Sequence, residues 1–283
     1  MDGRVIAAAA ALALGACGAA EEAAGPRIPG LRVRLVLLDP APALGKPLRV
    51  RVDLVNDGPS AVLYDCQQAA VNESLEVRGP DGRPLAYLAG SFQTAGTLEE
   101  LGARTSRPIV DEIDVAAQYL ITRPGLLTMR LVRGISAIES AKIPALRSGV
   151  PYDSEKHDVD LVDVWGSHVR IPCEPLAVEV GPGRAREPIL AAERLLPVLP
   201  PGWQLSVQPP GEGDEVDLAL VRPGGDKTKT LVLSVRLSAG PPEGSEEKAG
   251  SVGVRSLYLT GSPRGDEAWP GWKNRVKEAL GAK

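Results

Sequence analysis

The chain has 283 residues, more than one small domain needs and enough for two. It carries 32 Lys and Arg against 36 Asp and Glu, a formal net charge of −4, with the basic residues scattered. That balance lacks the basic footprint of a nucleic-acid binder, so no nucleic-acid partner is expected.

At the N-terminus, Arg4 supplies a positive charge, and Val5 to Leu14 form an apolar run of ten residues. A helix of that run rises about 1.5 Å per residue and spans about 15 Å, half of the roughly 30 Å of a bilayer core. It predicts a signal peptide over residues 1–16 and no membrane-spanning helix. Leu14-Gly15-Ala16-Cys17 resembles the bacterial lipobox: an aliphatic residue, two small residues, then cysteine. The resemblance implies cleavage before Cys17, a diacylglycerol on its sulfur with palmitate-type acylation, and stable anchoring by two or more chains. It places the chain in the cell envelope, outside the cytoplasm. Gly18 is no Asp retention signal and favours an outer membrane where there is one, although outer and cytoplasmic membranes both stay open. Residues 17–30 are small, polar and broken by Pro and Gly, the composition of a lipidated, flexible tether.

From Leu31 the pattern turns to strands. Leu31–Leu38 and Leu48–Val55 alternate apolar and charged residues with period two, which gives each strand one wet face, as in antiparallel sheets. Further strands are expected over Ala61–Tyr64, Ser74–Arg78, Pro84–Leu88, Ile113–Thr122 and Leu126–Arg133. Gly79-Pro80-Asp81-Gly82 and Arg123-Pro124-Gly125 read as turns. Residues 134–156 lack periodicity and read as a long loop, with more strands at Val159–Trp165 and Val169–Val180. Short strands at this spacing argue a β-sandwich over residues 31–180. The stretch 43–58, ALGKPLRVRVDLVNDG, resembles the opening strands of immunoglobulin-like domains in bacterial envelope proteins, and Tyr119-Leu-Ile-Thr-Arg-Pro-Gly125 resembles their late strand and turn. The resemblance implies an immunoglobulin-like antiparallel β-sandwich. An intracellular proteinase-inhibitor family of bacilli shares a similar opening, which implies inhibition, or a chaperone-like role, as an alternative.

Gly181-Pro182-Gly183 marks a boundary, and residues 184–283 read as a small α+β domain, an antiparallel sheet with two helices. A helix is expected over Glu187–Leu196, with Ile189, Ala192, Leu195 and Leu196 on one side. Strands follow at Trp203–Val207, Val216–Arg222, Leu231–Leu237 and, after a Gly/Pro/Glu loop over 239–250, at Val254–Thr260. A last helix covers Asp266–Leu280, where Trp269, Trp272, Val276 and Leu280 share a face that suits core packing. The Leu-Pro-Pro-Gly-Trp start and Trp-Pro end resemble a C-terminal module of planctomycete-type exported proteins of unknown role.

Candidate chemistry is sparse. Both histidines, His157 and His168, lie in one twelve-residue stretch with Asp158, Asp160 and Asp163. His157, Asp160 and His168 are a conceivable transition-metal set, and an anchored metal-dependent hydrolase is the rival reading. No HExxH or EF-hand pattern accompanies them, and a solvated strand edge accounts for them better. Ser167 and His168 would point to opposite faces of a strand, so they cannot form a dyad. No G-x-S-x-G elbow occurs, and Pro223–Thr228 fits a hairpin loop better than a phosphate loop. Cys66 and Cys173 lie too far apart for a CxxC pattern. They are candidates for a disulfide, worth about 4–5 kcal/mol for so long a loop, the alternative being two unpaired thiols. The expectation is a non-catalytic, membrane-anchored binding or scaffolding module with an envelope protein as partner and no cofactor.

Overall fold

The computed structural model describes residues 27–65, 71, 74–89, 98–132, 135–143, 146, 152–156, 159, 164, 168–169, 171–199, 201–207, 216–222, 231–238, 247–252, 255–260 and 269–281. The chain is mainly β, built of antiparallel sheets with few helices.

The first sheet has the order β1-β2-β6, with β1 at Leu31–Leu37, β2 at Arg49–Asn56 and β6 at Thr105–Asp114. Period-two alternation sends Leu31, Val33 and Leu35 of β1 and Val50, Val52 and Leu54 of β2 into the core, while the arginines between them stay in water. One end of this sheet is the row Leu31–Asn56–Thr105, and the other is Leu37–Val50–Ile113. A second sheet has the order β10-β7-β4: β4 Leu75–Arg78, β7 Gly125–Leu131, β10 Leu176–Val180. A third has the order β5-β3-β8-β9: β5 Leu98–Leu101, β3 Val62–Asp65, β8 Ile135–Glu139, β9 His168–Val169. The three sheets share one core, in which Val52 and Leu54 meet Tyr64, Val77, Leu127 and Met129. That shared core makes this half a β-sandwich. β3 is covered on both faces, because Tyr64 points into the main core and Leu63 into a smaller cluster with Ile143, Leu146 and Val164.

The second unit is a five-stranded antiparallel sheet in the order β11-β12-β13-β15-β14. Its strands are β11 Gln204–Val207, β12 Val216–Arg222, β13 Leu231–Ser238, β14 Glu247–Val252 and β15 Arg255–Thr260. A one-turn helix α1 (Val115–Gln118) belongs to the sandwich, whereas α2 (Glu187–Leu195) and α3 (Trp269–Leu280) pack on this second sheet. Ile189, Ala192 and Leu195 of α2 and Val276 and Leu280 of α3 close over Leu205, Leu218, Val235, Leu237, Leu257 and Leu259. Gly250 in β14 is where the end of α3 touches the sheet. A Cβ there would lie 2.2 Å from the Leu280 carbonyl oxygen, so no larger residue fits without displacing the helix.

The structure differs from the sequence reading at several places, among them Val169–Val180, expected as one strand but holding only the end of β9 (His168–Val169) and β10 (Leu176–Val180). Ile113–Thr122 was expected as one strand, but β6 ends at Asp114, whose carboxylate accepts from the Ala116 N–H and caps α1. Pro84–Leu88 carries only isolated bridges, to Arg78 and Tyr119. Residues 134–156, expected as a loop, contain β8 and a 3-10 turn at Ser140–Lys142. β5 and the start of β6 fall in a stretch to which no element was assigned; Glu99, Glu100 and Pro108 hide their pattern. β14 starts at Glu247 inside the expected loop over 239–250, because Glu, Lys and Gly mask an edge strand. Ile28 is buried in the sandwich core, so the folded part starts before Leu31.

Candidate binding surface

Among the described residues, the solvent face of the first sheet carries an organised set of charged side chains. Arg34 and Asp53 are direct cross-strand partners. Arg34 donates to Asp53 Oδ2 at 2.8 Å, and Arg51 donates to Asp53 Oδ1 at 2.8 Å. The Asp53 side chain is only 2% exposed, whereas the Arg34 and Arg51 side chains are 50% and 37% exposed. Arg49 grips Asp39 through its side chain at 2.7 Å and its backbone N–H at 2.6 Å, and Arg32 donates to Asp57 at 2.9 Å. On the second sheet, Glu76 accepts from both Arg78 (2.8 Å) and Arg130 (3.0 Å). In these sets carboxylates hold the guanidinium groups in place, which gives a fixed pattern of alternating charge rather than a basic patch. Such a pattern suits recognition by complementarity with a protein surface more than binding of a free anion.

Burial would push the Asp53 carboxyl upward, but the hydrogen bonds from Arg34 and Arg51 outweigh it and hold the group below its ordinary range. Asp39 is held low by the Arg49 side chain and backbone N–H. Glu76 is low because Arg78 and Arg130 outweigh its burial. A depressed folded-state pKa means stability that is present above the unfolded value, near 3.9 for Asp, and lost as pH falls through the folded value. The denaturant midpoint should therefore fall as the medium is acidified below about pH 4. Asp53→Asn should lower stability at pH 7 and flatten that acid dependence. Midpoints at pH 7, 4 and 3 check this, and an equal acid loss in both proteins would contradict it.

The helix-free face of the second sheet carries a polar row that the sequence reading did not single out. Arg236, Tyr258 and Lys248 are register neighbours across β13, β15 and β14. Arg236 is 8% exposed, with its guanidinium carbon 5.3 Å from the Tyr258 ring centroid. Ser206 and Ser238 are buried on the same face. The alternation in Leu-Val-Leu-Ser-Val-Arg-Leu-Ser over Leu231–Ser238 was the available signal.

Sheet edges, the usual sites for adding a partner strand, are mostly closed by the chain itself. The Val33 N–H of β1 donates to Pro172 O at 2.9 Å, and Val33 bridges Cys173 in parallel. Beyond β10, Gly181 donates to Pro42 O and receives the Leu44 N–H. The Leu85 N–H covers β4 through Val77 O at 2.8 Å. Pro108 blunts the edge strand β6 by removing a donor. The Val207 N–H of β11 donates to Leu88 O at 2.6 Å, and Gly250 of β14 bridges Gly281.

The two units meet in a fastened joint. Leu88, a sandwich-side residue, is fully buried in the core under α2 and α3, with Ala86 and Leu120 packed beside it. The Leu88 N–H donates to Gln118 O at 2.7 Å. Arg186, which precedes α2, donates to Asp114 Oδ2 at 2.8 Å. Ala43, Leu44, Ala116, Ile121, Val180 and Ile189 line a small hollow beside that pair.

Of the residues expected to carry chemistry, Cys17, Cys66, His157 and Asp160 lie outside the described residues, as do Asp158, Asp163 and Ser167. His168 is placed by its backbone in β9, opposite Ser136. The side chains of Trp269 and Trp272 are likewise outside what is described, while Trp203 packs on the second core. Cys173 carries a free thiol, half-buried. Burial pushes that thiol's pKa up, against the Leu131 N–H that its sulfur accepts at 3.4 Å, and the raised pKa makes it a poor nucleophile. Tyr119 donates its hydroxyl to Leu75 O and packs its ring, tilted by 59°, 5.2 Å from that of Tyr87, a structural role in which burial raises its pKa. Among the described residues no three His, Cys, Asp or Glu side chains are grouped for a metal, and no helix is long and apolar enough to cross a membrane.

No family model and no curated protein matches the chain. Among solved structures it is similar to the sporulation control protein Spo0M from Bacillus subtilis, at 10% identity and a TM-score of 0.18, over 89% of this chain and 98% of that one. A TM-score so low carries no argument about fold or function.

Proposed function

We propose that this chain is a cell-envelope lipoprotein, anchored through lipid on Cys17, that acts as a non-catalytic binding or scaffolding module for an envelope protein. The observation that carries the anchor is Leu14-Gly15-Ala16-Cys17 directly after the apolar run Val5–Leu14. The binding role is supported by the ion-paired face of β1, β2 and β6, where part-exposed arginine side chains are held at fixed positions around a buried carboxylate. Because most of its edges are already occupied, the sandwich would engage a partner through that side-chain face rather than by strand addition.

The test is proximity crosslinking from position Glu112, which lies beside Arg49 on this face, in the lipidated protein in its own membrane. Cys17→Ser and Arg34→Glu/Arg51→Glu serve as comparisons. One partner should be captured by the anchored protein, lost with the charge reversal, and reduced at least tenfold when Cys17→Ser leaves the membrane fraction. A partner captured equally well by the charge-reversed protein would show that this face is not the contact.

A further inference from the structure

The tether enters the fold at a fixed point. Ile28 is buried, Leu31 donates to its carbonyl at 3.1 Å, and Asp57 donates to Gly30 O at 2.9 Å. Gly30 adopts φ +82°, and a Cβ on it would lie 2.4 Å from the Gly58 nitrogen; a Cβ on Gly58 would lie 2.6 Å from Pro29 O. Pro29, Gly30, Asp57 and Gly58 are thus locked together, and the chain cannot pivot there. From Cys17 to Arg27 the chain takes ten residue steps, which reach at most about 35 Å when fully extended.

This entry point lies at the Leu31–Asn56–Thr105 end of the first sheet. The turn through Gly102 belongs to the same end, because the Asn56 side chain donates to its carbonyl at 3.1 Å. Arg27 and Arg104 are exposed here, and neither joins an ion pair among the described residues. The joint to the second unit, Asp114–Arg186 and Ala43–Gly181, lies at the opposite end. Six residue steps at about 3.3 Å put the two ends about 20 Å apart.

We propose that the end of the sandwich formed by Ile28–Leu31 and the turns at Asn56–Gly58 and Gly102–Thr105 faces the lipid surface. Arg27 and Arg104 then lie on the headgroup side, and the five-stranded α+β unit stands on the membrane-distal side. This rests on the lipid anchor at Cys17 proposed above. It leaves the ion-paired face of the first sheet and the second unit, and not the tether end, as the parts open to partners.

The experiment uses the full lipidated protein in vesicles of phosphatidylethanolamine and phosphatidylglycerol containing a headgroup-labelled energy acceptor. A donor is placed at Ser106→Cys or Ser251→Cys, both exposed sites, with Cys66 and Cys173 changed to Ser. Transfer from position 106 should be at least twofold higher than from position 251. Equal transfer, or more from 251, overturns the orientation. Hydroxyl-radical footprinting of the unsubstituted lipidated protein, on vesicles against detergent, gives the same answer without new cysteines: protection is expected at 102–107 and not at 248–251, and the reverse overturns the proposal. The mass of the purified protein separates the two claims. An unacylated Cys17 overturns the anchor and the orientation together, whereas an acylated chain with the wrong transfer ratio overturns the orientation alone.

Discussion

Leu88→Ala should destabilise the protein by about 2–5 kcal/mol, the range for removing a fully buried leucine from a core that cannot collapse around the gap. Leu88 is fully buried, yet it comes from the sandwich half of the chain and fills the core beneath α2 and α3. Its backbone is pinned on both sides, by Gln118 O and by the Val207 N–H, so the segment cannot slide to fill the hole. A natural domain is stable by only about 5–15 kcal/mol, so the loss is a large part of the total. Because this one side chain completes the second core, the two units should unfold together. Tryptophan fluorescence, with Trp203 packed on the second core, and far-UV circular dichroism should report one coincident denaturant transition that moves to lower midpoint in the variant. A fluorescence transition that shifts while the circular dichroism splits in two would contradict the coupling.

Asp114→Ala should cost about 2–4 kcal/mol, because one carboxylate does three jobs. Oδ1 accepts the Ala116 N–H as the cap of α1 and the Leu48 N–H at the start of β2, at 3.2 and 3.1 Å. Oδ2 accepts from Arg186 at 2.8 Å across the joint. Loss of a cap costs about 1 kcal/mol, and leaving a part-buried N–H unpaired costs about 1–3 kcal/mol. The ion pair, about a quarter exposed on each side, adds up to about 1 kcal/mol. Asp114→Asn keeps an acceptor oxygen for the cap and for Leu48 but loses the charge that holds Arg186. It should cost about 1 kcal/mol, and chemical denaturation of the three proteins in parallel checks the ordering. Equal losses for Ala and Asn would mean that the charge, and not the backbone hydrogen bonds, carries the effect.

Where polar and apolar residues alternate cleanly, the strands were legible in the sequence. β1, β2, β12 and β13 lie within a residue of where Leu31–Leu38, Leu48–Val55, Val216–Arg222 and Leu231–Leu237 were expected. α2 was equally plain, since Ile189, Ala192 and Leu195 step round one face. β5 and β14 were not, because Leu-Glu-Glu-Leu and Glu-Lys-Ala-Gly-Ser-Val put charge or glycine where the period-two pattern needs apolar groups, and edge strands tolerate that. β8 was missed because its pattern, Ile-Ser-Ala-Ile-Glu, is only five residues long and sits among prolines and glycines. Asp114 could not be recognised as a cap, since nothing local says that β6 stops there. The joint was invisible for a different reason: Leu88 looks like any strand leucine, and only the three-dimensional arrangement shows which core it fills. Of the candidate surface, Arg32, Arg34, Arg49 and Arg51 were visible as a wet face, but their pairing with Asp53, Asp39 and Asp57 depends on register across strands and loops.

We propose that lipid on Cys17 holds this β-rich chain to a membrane. Mass spectrometry of the N-terminal peptide from the membrane-purified protein tests it most directly. The account predicts a chain that starts at Cys17 and carries a thioether-linked diacylglycerol. A free Cys17 thiol, or a mature chain that starts elsewhere, would contradict it.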